Sequence, residues 1–157
     1  PVPLHLEWAD VIELLPPAPV EGAMEGEKMA IVSRSGGTSE VQGGFWGLSG
    51  GDQLWWMDGK PGDTLVLEFE VRADGTYSVV GNFCHAADYG IHEITINGTR
   101  CGEFDFYGTG VNWRKLALGS HTLKKGKARM TVRVVGSNPK AEPKRQMFGL
   151  DYVLLEK

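Results

Sequence analysis

A tryptophan on a surface loop can do something aliphatic side chains cannot. Its flat indole can lie against the C–H face of a sugar ring, gaining buried apolar area and ring polarisation. The chain carries five tryptophans, more than the core of a small domain requires. Trp46 falls in a Gly/Ser-rich run, Ser35–Gly51, and Trp113 closes a second irregular run, Tyr107–Trp113. Each either caps the core from above or stands exposed as a stacking surface. Trp55 and Trp56 are neighbours within Asp52–Met57, which reads as a strand, so they face opposite sides. Trp56 shares its side with Leu54 and belongs to the core. Trp55 shares the other side with Gln53 and is expected to be partly exposed, as a binding face or a contact with a neighbouring domain.

Sugar hydroxyls also need donors and acceptors fixed on rigid loops. Asp88, Tyr89, Asn112 and Asn138 are of the right type and fall in loops. Their local readings are a tight turn at Asp88-Tyr89-Gly90 and turn initiation at Asn138-Pro139. His85, Asp88 and His92 lie close in sequence, and a His–Asp pair could move a proton. No nucleophile elbow and no H-E-x-x-H zinc motif is present, and a glycosidase needs two carboxylates facing each other across a cleft. The expectation is a non-catalytic protein. Cys84 and Cys101 form one bridge or remain two free thiols; no zinc spacing is present.

These residues need a platform, and the hydrophobic period supplies it. Leu65, Leu67, Phe69 and Val71 alternate with Thr64, Val66, Glu68 and Glu70, the pattern of a half-buried strand. Tyr77–Cys84 and Ala128–Val135 alternate in the same way. Asn97-Gly98 marks a hairpin joining Ile91–Ile96 to Arg100–Phe106. Further strands are expected at Lys28–Arg34, Asp52–Met57, Lys115–Leu123 and Met147–Leu155. About nine short strands at intervals of about 8–12 residues predict an antiparallel sandwich or barrel. The 22 glycines supply the turns.

Composition sets the outer limits. A chain of 157 residues is one domain's worth, and it can bury roughly 68–70% of its unfolded surface. At 41% hydrophobic and 23% charged it is globular rather than disordered. The net charge of −4 leaves no basic surplus for a phosphate backbone, so no nucleic acid partner is expected. The apolar runs are too short to span a bilayer, so no membrane partner is expected either. Residues 1–23, with Pro16, Pro17 and Pro19, read as a linker or the tail of a preceding domain, and residues 24–157 as the sandwich. Opening at Pro1, with neither an initiator Met nor a charged-then-apolar leader, the sequence reads as a processed chain or a piece of a larger one.

The order of motifs carries a resemblance. Glu25-Gly26-Glu27 starts the first strand, Pro61-Gly62-Asp63-Thr64-Leu65 and Gly75-Thr76-Tyr77 open later ones, and Ile96-Asn97-Gly98 and Leu123–Gly126 form turns. Gly149-Leu150-Asp151-Tyr152-Val153 closes the chain. This resembles the β-jelly-roll carbohydrate-binding modules of families 6 and 35, in the galactose-binding-like superfamily. Through Gln53–Trp56, Asp88–Gly90 and Val135–Pro139 it is similar to the C-terminal jelly-roll region of bacterial difructose-dianhydride-synthase-type hydrolases. The resemblance covers roughly Val20–Glu156. It implies an all-β jelly-roll sandwich of two antiparallel sheets, holding an attached enzyme on a poly- or oligosaccharide, in a secreted, periplasmic or cell-surface setting. It aligns Trp113 with a loop tryptophan and Asn138 with a ligand amide. It also implies a structural calcium held by Glu25, Glu27 and Asp151, although Gly26 stands where the family carries alanine. The rival reading is an assembly module whose aromatics bury against the parent enzyme or another subunit.

Overall fold

A computed structural model describes residues 18–44 and 47–157. Trp46, expected to stack on sugar, and the apolar stretch Leu6–Leu15 lie outside the described residues. Eleven strands are described: β1 (Met24–Glu25), β2 (Ala30–Arg34), β3 (Thr38–Gly43), β4 (Asp52–Met57), β5 (Thr64–Val71), β6 (Gly75–His85), β7 (Ile91–Ile96), β8 (Thr99–Asp105), β9 (Asn112–Leu123), β10 (Gly126–Gly136) and β11 (Phe148–Glu156). They form two antiparallel sheets. The first runs β3-β4-β11-β6-β9, with β1 also paired to β11; the second runs β2-β5-β10-β7-β8. The chain is thus an all-β sandwich of two antiparallel sheets, one of the two architectures its period-two patterning predicts and the one the resemblance implies.

The sheets face each other through the alternating residues. Leu65, Leu67 and Phe69 of β5 sit opposite Val132, Met130 and Ala128 of β10, and all six are buried. Burying one such aliphatic or aromatic side chain stabilises by about 1.5–3 kcal/mol. The β7–β8 hairpin turns on Asn97 and Gly98, whose φ values of 48° and 82° match the twist of the strands they join. Trp56 and Leu54 point into this core, as expected, whereas Trp55 is only half-buried.

Three expectations need correction. The Ser35–Gly51 run is not all loop, because β3 lies inside it. β3 is an edge strand with one neighbour, and Val41, itself exposed, is its one large apolar residue, so it carries no hydrophobic alternation. Trp113 is not a loop residue. β9 begins at Asn112, and Trp113 sits opposite Cys84, because β6 is long enough to pair with it there. Finally, Glu25 and Glu27 do not share one strand: β1 ends at Glu25 and Gly26–Lys28 forms a 3-10 turn. A Cβ at residue 26 would overlap the Leu150 carbonyl oxygen, which explains why glycine stands there.

His92, considered above for acid–base work, lies wholly in the core. Its ring packs against Trp56, Phe106 and Phe148, and Nε2 pairs with the Met147 carbonyl at 3.0 Å. Nδ1 has no partner. Burial holds its pKa down to about 4. A base depressed in the folded state contributes stability above its unfolded pKa of about 6.5, and that stability is lost as pH falls toward 4. The expected loss over this window is about 3 kcal/mol. Denaturant titrations of wild type and His92→Phe at pH 7 and pH 4.5 check it: the variant should lose less stability on acidification. Equal losses would place the acid sensitivity elsewhere.

Candidate functional site

Gln53 and Trp55 alternate with the core residues Leu54 and Trp56, so β4 presents them on the opposite face of the first sheet. There they border a cleft of about 160 Å³. Gln42 of β3 reaches it from the sheet edge, in register with Gln53. Asp88 and Tyr89 enter from the β6–β7 connection, and Val111 from the connection before β9. Cys84, Ala86 and Met147 complete its lining. Three of the residues singled out from the sequence, Trp55, Asp88 and Tyr89, therefore meet at one place.

The polar side chains are tied together before any ligand arrives. Gln53 is fully buried; its Nε2 donates to Gln42 Oε1 at 2.7 Å, and its Oε1 accepts from Trp113 Nε1 at 3.0 Å. Trp55 Nε1 donates to Met147 Sδ at 3.0 Å, which sets the indole plane. The Tyr89 hydroxyl lies against Cys84 and Gln53. Burial pushes the Cys84 thiol up to about 11 and raises the Tyr89 phenol, so both remain protonated and uncharged at neutral pH. Cys84 and Cys101 are both free thiols. Trp113 thus supports the cleft through Gln53, with its indole packed against the core cluster.

Gly149, opposite Trp55 on β11, makes this arrangement possible. A Cβ there would lie 2.8 Å from Gln53 Oε1 and 3.0 Å from both Cys84 Cβ and the Tyr89 hydroxyl. Gly149→Ala should push Gln53 and Tyr89 apart, costing about 1–3 kcal/mol by overpacking. Denaturant unfolding measures this, and a loss near zero would show that the floor yields freely.

The remaining polar candidates do not reach the cleft. Asn112 is engaged by its own surroundings: Nδ2 donates to the Gly110 carbonyl at 3.3 Å, and Oδ1 accepts from Arg114 Nε at 3.2 Å. Asn138 donates to Asp105 Oδ2 at 2.7 Å and accepts from the Lys140 N–H at 2.8 Å, the turn-initiating role. His85 is buried, and burial lowers its pKa. Sequence reasoning missed Gln42 and Met147. Met147 carried no signal, and Gln42 sits on the edge strand that the sequence left hidden. A larger groove of about 480 Å³ lies by Met24, Arg72, Tyr77 and Leu155. It holds none of the sequence-selected residues, and the Tyr77 hydroxyl is bonded to the Ala73 carbonyl.

Glu25, Glu27 and Asp151 lie near enough to feel one another's charge. Asp151 is the extra residue of a bulge between Leu150 and Tyr152, where β11 slips against β6. Its fully buried carboxyl accepts the Ser49 N–H at 3.0 and 3.1 Å and the Asn82 amide at 2.9 Å. Ser49 donates its hydroxyl to Glu25 Oε1. Glu25 Oε2 and Glu27 Oε1 are buried without a partner. Burial raises all three carboxyls: Glu27 to about 7, Asp151 to about 6, and Glu25 above its ordinary value. Repulsion from Glu25, Asp151 and Asp52 adds to the rise at Glu27. Among the described residues, no group of three or more His, Cys, Asp or Glu side chains is placed so that it could hold a metal ion. The donor chemistry nonetheless suits a hard cation, with two unsatisfied carboxyl oxygens available.

No protein-family model matches the sequence, and no curated protein sequence matches it. Solved structures do resemble it. A xanthan lyase from Paenibacillus aligns over 90% of this chain at 24% identity with a TM-score of 0.77. The chain spans only 14% of that lyase's length. A family 35 carbohydrate-binding module from an environmental isolate aligns over 86% of this chain and 92% of its own, at 13% identity and a TM-score of 0.53. The C-terminal family 6 module of a marine laminarinase from Zobellia galactanivorans aligns over 86% and 98%, at 14% identity and a TM-score of 0.54. At these identities the likeness is one of fold, and the jelly-roll fold of carbohydrate-binding modules is the fold this chain has.

Proposed function

We propose that this chain is a non-catalytic carbohydrate-binding module, holding an attached glycoside-active enzyme on a poly- or oligosaccharide. The observation that carries this reading is the cleft on the outer face of the first sheet. There the half-buried Trp55 indole meets a pre-bonded Gln53–Trp113 pair and the Tyr89 hydroxyl. An indole offers a stacking face, and amides and hydroxyls already fixed in place lose little freedom on binding. The described lining contains one carboxylate, Asp88, whereas glycoside hydrolysis uses a facing pair. The neighbours of Trp55 also weigh against the assembly reading, which needs a wide apolar face: Gln42, Gln53 and Asp88 are polar. Binding at so small a cleft is weak on its own, and the attached enzyme or repeated modules would supply avidity.

The acid pocket completes the proposal. Glu25, Glu27 and Asp151 would hold a calcium ion that joins β1 to β11 and neutralises buried carboxylates. The module works outside the cytoplasm, where such polysaccharides occur. Among the described residues, no helix is long and apolar enough to cross a membrane.

Affinity electrophoresis and a glycan array on this chain test the function. Retention by at least one glycan, weakened by competing free sugar, is the expected result. Absence of retention across neutral and acidic glycans, with and without calcium, would overturn the reading.

A further inference from the structure

The charge inside the cleft makes the proposed ligand more specific. Among the described residues that line it, Asp88 is the single charged group, and no lysine, arginine or histidine takes part. Neither Arg145 nor Arg114 lines the cleft. Arg145 senses the charge of Asp88, but its guanidinium holds Asp58 through two 2.8 Å bonds. Arg114, beside Trp113, donates Nε–H to Asn112. The other polar side chains of the lining are neutral: two amides, a phenol, a thiol and the Trp55 indole N–H. An anionic ligand needs a cation or a cluster of unspent N–H donors, and it is disfavoured beside a carboxylate.

The size of the cleft adds a second limit. At about 160 Å³ it lies below the roughly 300–1,000 Å³ of pockets that enclose drug-sized ligands, and it has room for about five waters at ~30 Å³ each. That suits one sugar ring rather than a run of several. Trp55 supplies the apolar face for such a ring, Gln42 and Asp88 are the partly exposed partners for its hydroxyls, and the buried Gln53 and Tyr89 brace them.

We infer that the cleft selects a single uncharged sugar ring and discriminates against uronic acids and sulfated sugars through Asp88. The inference rests on the carbohydrate-binding reading and goes further by fixing the charge class of the ligand. Its test compares matched pairs that differ in one carboxylate: methyl glucoside with methyl glucuronide, and methyl galactoside with methyl galacturonide. Ligand-observed NMR and Trp fluorescence report binding to this chain. The neutral member of a binding pair should bind about fivefold tighter or more at low salt. The ratio should shrink at high ionic strength and in Asp88→Asn, because both weaken the repulsion. Uronides binding as well as or better than their neutral partners would overturn the charge selection and leave the carbohydrate-binding reading standing. Failure of every sugar in the set, together with an empty glycan array, would overturn both.

Discussion

Trp55→Ala is expected to abolish glycan retention while leaving the chain folded. The indole is the large apolar surface in the lining, and Met147 Sδ fixes its plane. Losing about 1.4 kcal/mol of stacking already costs tenfold in affinity, which moves a weak site below detection. The stability cost should be modest, about 2 kcal/mol, because Trp55 is half-buried on the outer face. Trp56→Ala, one residue on, should behave in the opposite way. That side chain is fully buried between the sheets, and its removal should cost about 3–5 kcal/mol with no direct effect on the ligand. Trp113→Ala lies between the two, since it frees Gln53 rather than removing a stacking face. Affinity electrophoresis against the retained glycan, paired with denaturant unfolding, separates the three. Unchanged retention of Trp55→Ala would remove the cleft from the sugar site.

Calcium and pH should act on the fold through the acid pocket with a definite sign. Glu27 and Asp151 have folded pKa values raised to about 7 and about 6. The folded state therefore binds protons that the unfolded state has already released, and stability falls as pH rises from about 4 toward 7. The Glu27 shift alone, discounted because that side chain is partly exposed, amounts to about 1–2 kcal/mol. This corresponds to roughly 2–8 °C in melting temperature for a chain of this size. Calcium, if it fills the pocket as proposed, would replace those protons. At 100 times its dissociation constant it should restore about 2.7 kcal/mol, with more effect at pH 8 than at pH 5. His92 works in the opposite direction below pH 6.5, so the clean measure is the difference between wild type and Glu27→Gln. Scanning calorimetry from pH 5 to 8, with calcium and with chelator, should show the variant losing the Glu27 share of the pH slope, with the Asp151 share retained, and losing the calcium shift. A chelator-insensitive melting temperature, with no metal found by elemental analysis, would reject calcium.

What the sequence could reveal followed the physics of each signal. Alternation in Thr64–Val71 and Ala128–Val135 shows directly in the residues, because burial on one face of a strand demands it every second position. The Asn97-Gly98 turn and the division of Trp55 from Trp56 follow from equally local rules. β3 escaped because an edge strand whose one large apolar residue, Val41, is exposed carries no burial pattern. Trp113 looked like a loop residue because its strand partner, Cys84, lies 29 positions earlier in the chain. Asn112 and Asn138 had the right chemistry, yet Asn112 opens β9 rather than lying in a loop, and both amides serve the backbone and neighbouring side chains.

The sequence alone therefore determined the class of fold, the faces of its strands and the residue types able to meet a sugar. Each of these depends on neighbours a few positions away. The tertiary structure decided which of those residues share a site. The cleft exists because Gly149, 96 positions after Gln53, leaves space beneath it. The acid pocket exists because a bulge in β11 turns Asp151 toward Ser49 and Asn82, from distant parts of the chain. Convergence of this kind is set by strand register and packing between sheets, and local spacing along the chain does not encode it.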